Sequence, residues 1–135
     1  MWKIKNLNNA LDYKKAMTTH LADLKDKLSN GEIAEDDIKN KEGKLLIHTH
    51  TSIIEGSINL FQSDEHKQTF IEYGLAQFEE ELAELSDDMN AFNVSAPIHI
   101  KNAIIKPFSN PEVKTKMSEM IVYSDQVVGI SISLE

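Results

Sequence analysis

Apolar and polar positions divide this chain into a few periodic stretches. From about Asn9 to Ser29 the pattern is helical. Met17, Leu21, Leu24 and Leu28 recur at four, three and four residues, which sets them on one face. Asn30-Gly31 then supplies the left-handed residue that commonly ends a helix. Glu32 to Asn40 is largely charged and reads as a helical turn around Ile33 and Ile38. Gly43 breaks the chain before Lys44 to Ile54, an alternating, β-branched run that reads as a strand. Glu55-Gly56 reads as a turn, and Ser57 to Phe61 as either a strand continuation or a loop. Near the start, Trp2 and Ile4 alternate with Lys3 and Lys5, the pattern of a short edge strand.

A second helix is expected over about 63–92. Ile71, Leu75, Phe78, Leu82, Leu85, Met89 and Phe92 follow spacings of 4, 3, 4, 3, 4 and 3, an unbroken heptad seam. Ser63-Asp64 offers an N-cap, and Gly74 marks either a weak point or a close contact. Beyond Pro97 the pattern becomes β: Ile98 to Ile105, then Val113 to Tyr123, a turn at Ser124-Asp125-Gln126, and Val127 to Leu134. The expected fold is α+β. Two main helices, about 9–29 and 63–92, pack on a small antiparallel sheet that includes a C-terminal three-strand meander. With 135 residues and no linker, repeat or low-complexity tract, residues 1–135 read as one domain.

Charge sharpens this picture. The net charge is −8, and the segment from Asp64 to Asn93, with nine acids and only Lys67, accounts for all of it. Both flanks are neutral. Glu84, Asp87 and Asp88 lie toward the C-terminal end of the expected helix, where negative charge opposes the helix dipole. No lysine stands four residues on to compensate them. A solvated face that keeps the chain soluble is one reading. A surface for a basic partner, centred on Glu79, Glu80, Glu84, Asp87 and Asp88, is the other. All 14 basic residues are lysine, and a chain without arginine at this net charge is not expected to bind nucleic acid. Cysteine is absent, which excludes disulfides, a thiol nucleophile and thiolate metal sites. Neither a signal peptide nor a membrane span is read, so a cytoplasmic location is expected, with no membrane partner.

Candidate chemistry is confined to His48-Thr49-His50-Thr51. On a strand, residues two apart share a face, so both imidazoles would reach one metal. The string from His48 to Gly56 resembles the first motif of the polymerase and histidinol phosphatase hydrolases, although that motif ends Asp-Gly and this one ends Glu55-Gly56. More loosely, His48-Thr49-His50 with Ser63-Asp64 resembles the JAB/MPN metalloprotease motif, in which proline stands where Thr51 is found here. Either resemblance implies a zinc or manganese hydrolase with His48, His50 and Asp64 as ligands and a glutamate activating water. His20, His66 and His99 read as surface or packing histidines.

The leading expectation is a non-catalytic protein-interaction domain that needs no cofactor, an inhibitor, antitoxin or immunity-type factor binding a basic protein. Self-association, through the Ile71–Phe92 seam or a sheet edge, is a further expectation. The alternative is the metal-dependent hydrolase.

Overall fold

The structure is a computed structural model, and it describes residues 2–3, 11–34, 37–58, 68–92 and 94–134. In chain order the elements are β1 (Trp2–Lys3), α1 (Tyr13–Ser29), β2 (Leu45–His48), β3 (Ser52–Ile58), α2 (Phe70–Glu84), β4 (Asn90–Ala91), β5 (Pro97–Pro107), β6 (Thr115–Tyr123) and β7 (Gly129–Ile132), with a 3-10 turn at Ser124–Gln126. The fold is α+β. Five strands form one antiparallel sheet in the order β6-β5-β3-β2-β7, and β1 pairs with β4 in a separate two-stranded ribbon. No helix among the described residues is long and apolar enough to cross a membrane.

The core follows from the registers. Ile47 lies opposite both Ile54 and Ile130, and Ile54 lies opposite Ile105, so one row of isoleucines crosses four strands. Ile98, Ile100, Ala103, Ile58, Val122 and Val127 complete the cluster, and Ala22 brings α1 against it. Ile98 and Ile100 are 0% exposed. On β5 the buried positions step from Ile100 to Ala103 at Asn102, whose φ of 53° is left-handed, and the pairing with β3 shifts there. Gly56 faces this irregularity. A Cβ on it would stand 2.6 Å from Ile100 Cγ2 and 2.9 Å from the Lys101 carbonyl oxygen, so only glycine fits.

α1 starts where Asp12 caps it, and it ends at Gly31 with a φ of 82°, as its sequence predicts. Asp12 also binds the sheet. Its Oδ1 accepts from the Lys15 amide at 3.0 Å, and its Oδ2 accepts from the Ala96 amide at 3.0 Å and the Ser124 hydroxyl at 2.5 Å. Burial alone would raise this carboxyl. The hydrogen bonds from Ser124 and from the Lys15, Ala96 and Lys14 amides outweigh it and hold the pKa below the usual carboxylate value.

Several boundaries differ from those the sequence suggests. Lys44 to Ile54 is a hairpin rather than one strand. The Thr49 hydroxyl accepts from the amides of Thr51 and Ser52, and this local turn interrupts the alternation. Glu32 to Asn40 shows bends and turns in its described part, with no helix. α2 begins at Phe70 behind the N-cap Thr69 and stops at Glu84. Ser86 turns the chain there, its hydroxyl accepting from the Asp88 amide and its carbonyl from the Met89 amide. Acidic residues at the negative helix end give no support for a longer helix. The proposed cap at Ser63-Asp64, residue Ile4 of the edge strand and residues 9–10 of the first helix lie outside the described residues. Gly74 makes no close contact among the described residues, none of which stands within 4 Å of a Cβ placed on it.

The last strand is the main topological refinement. β5 and β6 pair as expected, but β7 pairs with β2 at the other edge. Only five residues separate Tyr123 from Gly129. Four strand spacings already amount to ~19 Å. The two ends also lie at opposite ends of the sheet, since Tyr123 is opposite Pro97 and Gly129 opposite His48. Six Cα steps reach only ~22 Å, so the sheet curls. The connection passes the start of α1, where Lys14 Nζ donates to the Val127 carbonyl at 2.7 Å.

Candidate interaction site

α2 is fixed to the sheet by its first turn. Thr69 and Glu72 form a capping box: the Thr69 hydroxyl accepts from the Glu72 amide, and Glu72 Oε1 accepts from the Thr69 amide, each at 3.2 Å. Glu72 is also 2.8 Å from the Lys101 ammonium on β5. Glu119 on β6 completes the knot. Its Oε2 accepts from the Ile71 amide at 3.0 Å, and its Oε1 lies 2.8 Å from His99 Nε2. Register explains the convergence, because Lys101 pairs with Glu119, and His99 with Ile121 one diagonal step away.

Glu72 and His99 are buried, Glu119 and Lys101 half-buried, and their electrostatics follow. The Lys101 ammonium is the largest influence on Glu72. With help from Thr69 and against the cost of burial, it brings the carboxyl down to about 2. For Glu119 burial is the largest influence and acts upward. Hydrogen bonds from the Thr69 hydroxyl, the Ile71 amide and His99 overcome it, so this carboxyl also lies below its ordinary value.

Beyond this turn α2 is thinly covered. Glu72 is its one buried residue. Ile71, Leu75 and Leu82 of the seam are half-buried, whereas Phe78 is 57% exposed. Leu85, Met89 and Phe92 fall after the helix and are exposed, Phe92 to 73%. The seam therefore forms a single continuous helical stripe only as far as Leu82. Between α1 and α2, above the start of β5, runs a groove of about 390 Å³. Leu75, Phe78 and Leu82 form its apolar wall, Lys15 and Thr19 the facing wall, and Pro97 and Ile98 its floor.

Of the acids predicted to meet a partner, Glu79 lines this groove, and the others lie elsewhere on α2 or in the turn after it. Glu79, Glu80, Glu84, Asp87 and Asp88, together with Glu81, are all exposed, and none joins an ion pair among the described residues. Glu72 is different: it belongs to the anchor. The last turn of α2 contains no basic residue.

The histidine pair is arranged differently from the strand-borne pair of the sequence reading. His48 ends β2, its Nε2 is 2.7 Å from the Ser131 hydroxyl, and its ring tilts toward Phe108. His50 is exposed in the hairpin turn. Asp64 lies outside the described residues, and among the described ones no three His, Asp or Glu side chains cluster as a metal site requires. His99 is a packing histidine, tied into the α2 anchor.

Sequence reasoning missed the anchor of Glu72, Lys101, Glu119 and His99. Thr69-Phe-Ile-Glu72 carried a usable signal, since it has the spacing of a capping box. No protein-family model, curated protein or solved structure matches this chain.

Proposed function

We propose that this chain is a non-catalytic protein-interaction domain that binds a basic protein through the exposed length of α2 and the acidic turn after it. The observation that supports the reading is the combination, along α2 and the turn after it, of six exposed carboxylates without an ion pair among the described residues and exposed aromatic and aliphatic side chains. A purely solvating surface has little use for Phe70, 85% exposed, or for Tyr73, Phe78 and Phe92 beside the acids. Aromatic anchors inside a polar, solvent-accessible rim are a common arrangement at binding surfaces. The missing cysteines fit a reducing compartment, so the cytoplasm is the proposed location. An inhibitor or immunity-type role follows naturally, since such a domain works by covering a basic site.

The test is capture from a lysate of the native host with the wild-type chain and with an E80K/E84K/D87K variant. A basic protein retained by the wild type, released at about 1 M salt where screening shortens to ~3 Å, and lost with the variant supports the reading. Equal capture by both chains rejects it. Circular dichroism of the variant confirms that the fold survives, as expected for exposed positions.

A further inference from the structure

We infer that the groove between α1 and α2 receives one basic amphipathic helix of the partner, its apolar face against Leu75, Phe78 and Leu82 and its cations toward Glu79 and Glu81. This rests on the reading above and deepens it by naming the shape and chemistry of the partner segment. Three features carry it.

The first is the spacing of the wall. Leu75, Phe78 and Leu82 are separated by three and four residues, the ridge spacing that accepts knobs from another helix. Within the chain, the facing wall is supplied by Lys15 and Thr19, which are too polar to complete such a seam. A third helix lying along the α1–α2 valley would cover the apolar stripe and the exposed Phe78 together.

The second is charge. Glu79 lines the groove and Glu81 flanks the apolar stripe on its other side, both without a cationic partner among the described residues, while Glu80 and Glu84 point away from it and Lys15 stands on the facing wall. The complementary helix carries lysine or arginine flanking its apolar face. Such a match accelerates encounter as well as selecting the partner.

The third feature argues against a second copy of this chain. Between Phe70 and Phe92 there is no lysine, so two α2 helices side by side would oppose like charges along the whole contact. α1 is no better as an occupant. Its Ala22 face is buried on the sheet, and of its four lysines Lys14 is engaged with the Val127 carbonyl, Lys25 with the Lys41 carbonyl and Lys27 with Asp23.

The experiment uses the full chain and three synthetic probes of about 14 residues, roughly four helical turns. One is a leucine–lysine peptide with its leucines on one helical face. The second has the same composition in scrambled order. The third replaces lysine with glutamate. Fluorescence anisotropy is expected to show binding of the first, with the scrambled and acidic probes at least about tenfold weaker. Phe78→Asp and, separately, Leu82→Asp should each weaken the first probe about tenfold. Probe isotope-edited NMR should show it helical when bound.

Equal binding of the ordered and scrambled probes overturns the inference and leaves only a general acidic surface. So does unchanged affinity in both aspartate variants, or an absence of binding by the ordered probe. A stable dimer by light scattering that the ordered probe does not disperse assigns the groove to a second copy, and also overturns it. None of these outcomes touches the capture experiment above, whose failure is read from charge reversal alone.

Discussion

α1 and α2 are helices of similar length, 17 and 15 residues, each with one apolar stripe and an N-cap side chain. Their attachment differs. α1 lies on the sheet with Thr18 and Ala22 buried, and Asp12 ties its start to Ala96 and Ser124. α2 buries only Glu72 and is held at one end by charged and polar groups. Apolar burial acts along the whole length of a helix and does not depend on pH. A polar knot acts at a point and does. The first arrangement suits a structural element, and the second suits a helix whose side is kept free for something else.

The largest break in this comparison comes from the core beneath α1. Ile100→Ala should cost about 2–5 kcal/mol, seen in urea unfolding as a lower midpoint for the whole molecule, α1 included. A truncation on the open side of α2, Phe78→Ala, should stay within about 0.5 kcal/mol in the same measurement. If the two costs were alike, the exposed side of α2 would be part of the core and the contrast would fail.

Lys101→Met probes the knot directly. It leaves the buried Glu72 carboxylate without its cation, a loss of about 1–3 kcal/mol concentrated on α2. Hydrogen exchange should show faster amides from Ile71 through Leu82 and unchanged amides in β2, β3 and β5. Adding Glu72→Gln should recover part of the loss, because the second change removes the stranded charge.

Acid offers the same contrast without mutation. Glu72 titrates at about 2 in the folded chain against 4.5 ordinarily. A carboxyl depressed on folding stabilises fully above its unfolded value, and that stability is lost as pH falls through the folded one. The contribution of Glu72 is therefore complete above 4.5 and declines toward 2, the range its own pKa values define. Glu119 and Asp12 are depressed as well and act in the same direction. Asp12 weakens only one end of α1, whereas both carboxylates of the α2 anchor are affected. NMR of a titration from neutral pH to about pH 3 should show α2 losing exchange protection before α1. Simultaneous loss would reject the idea of a polar tether.

Gly74→Ala should give the smallest effect, a gain of about 0.5–1 kcal/mol in α2. The position is exposed and has open space around it, so the propensity gain meets no clash. Slower exchange in α2 alone would sharpen the picture of a helix limited by its own stability.

What was legible in the sequence was what depends on neighbours along the chain. The α1 helix and its Gly31 stop, the seam through Leu82, the β5–β6 hairpin and the turn at Ser124–Gln126 all follow local periodicity or turn chemistry, whereas the buried face of α1 is Thr18 and Ala22, with Met17 of the expected stripe exposed. The hairpin at Thr49–Thr51 was hidden because β-branched threonine continues a strand pattern while its hydroxyl makes the turn. The anchor was hidden for another reason. Glu72 resembles the other acids of its segment until Lys101, 29 positions away, is set beside it by the sheet. The acids of the candidate surface were legible one by one, but the groove that Glu79 lines requires α1, α2 and β5 together.

The placement of β7 has a consequence in time. Ser131 meets His48 across 83 positions of sequence, so the second edge of β2 closes only after nearly the whole described chain exists. Contacts that distant form slowly, because the loop between them must be closed first. As the chain is synthesised, β2 and its Ile47 row wait as an unguarded edge able to pair with other molecules. The acidic segment is synthesised before β7, so its charge is already in place during this wait. Mutual repulsion between nascent copies then protects the unfinished sheet until its last strand arrives.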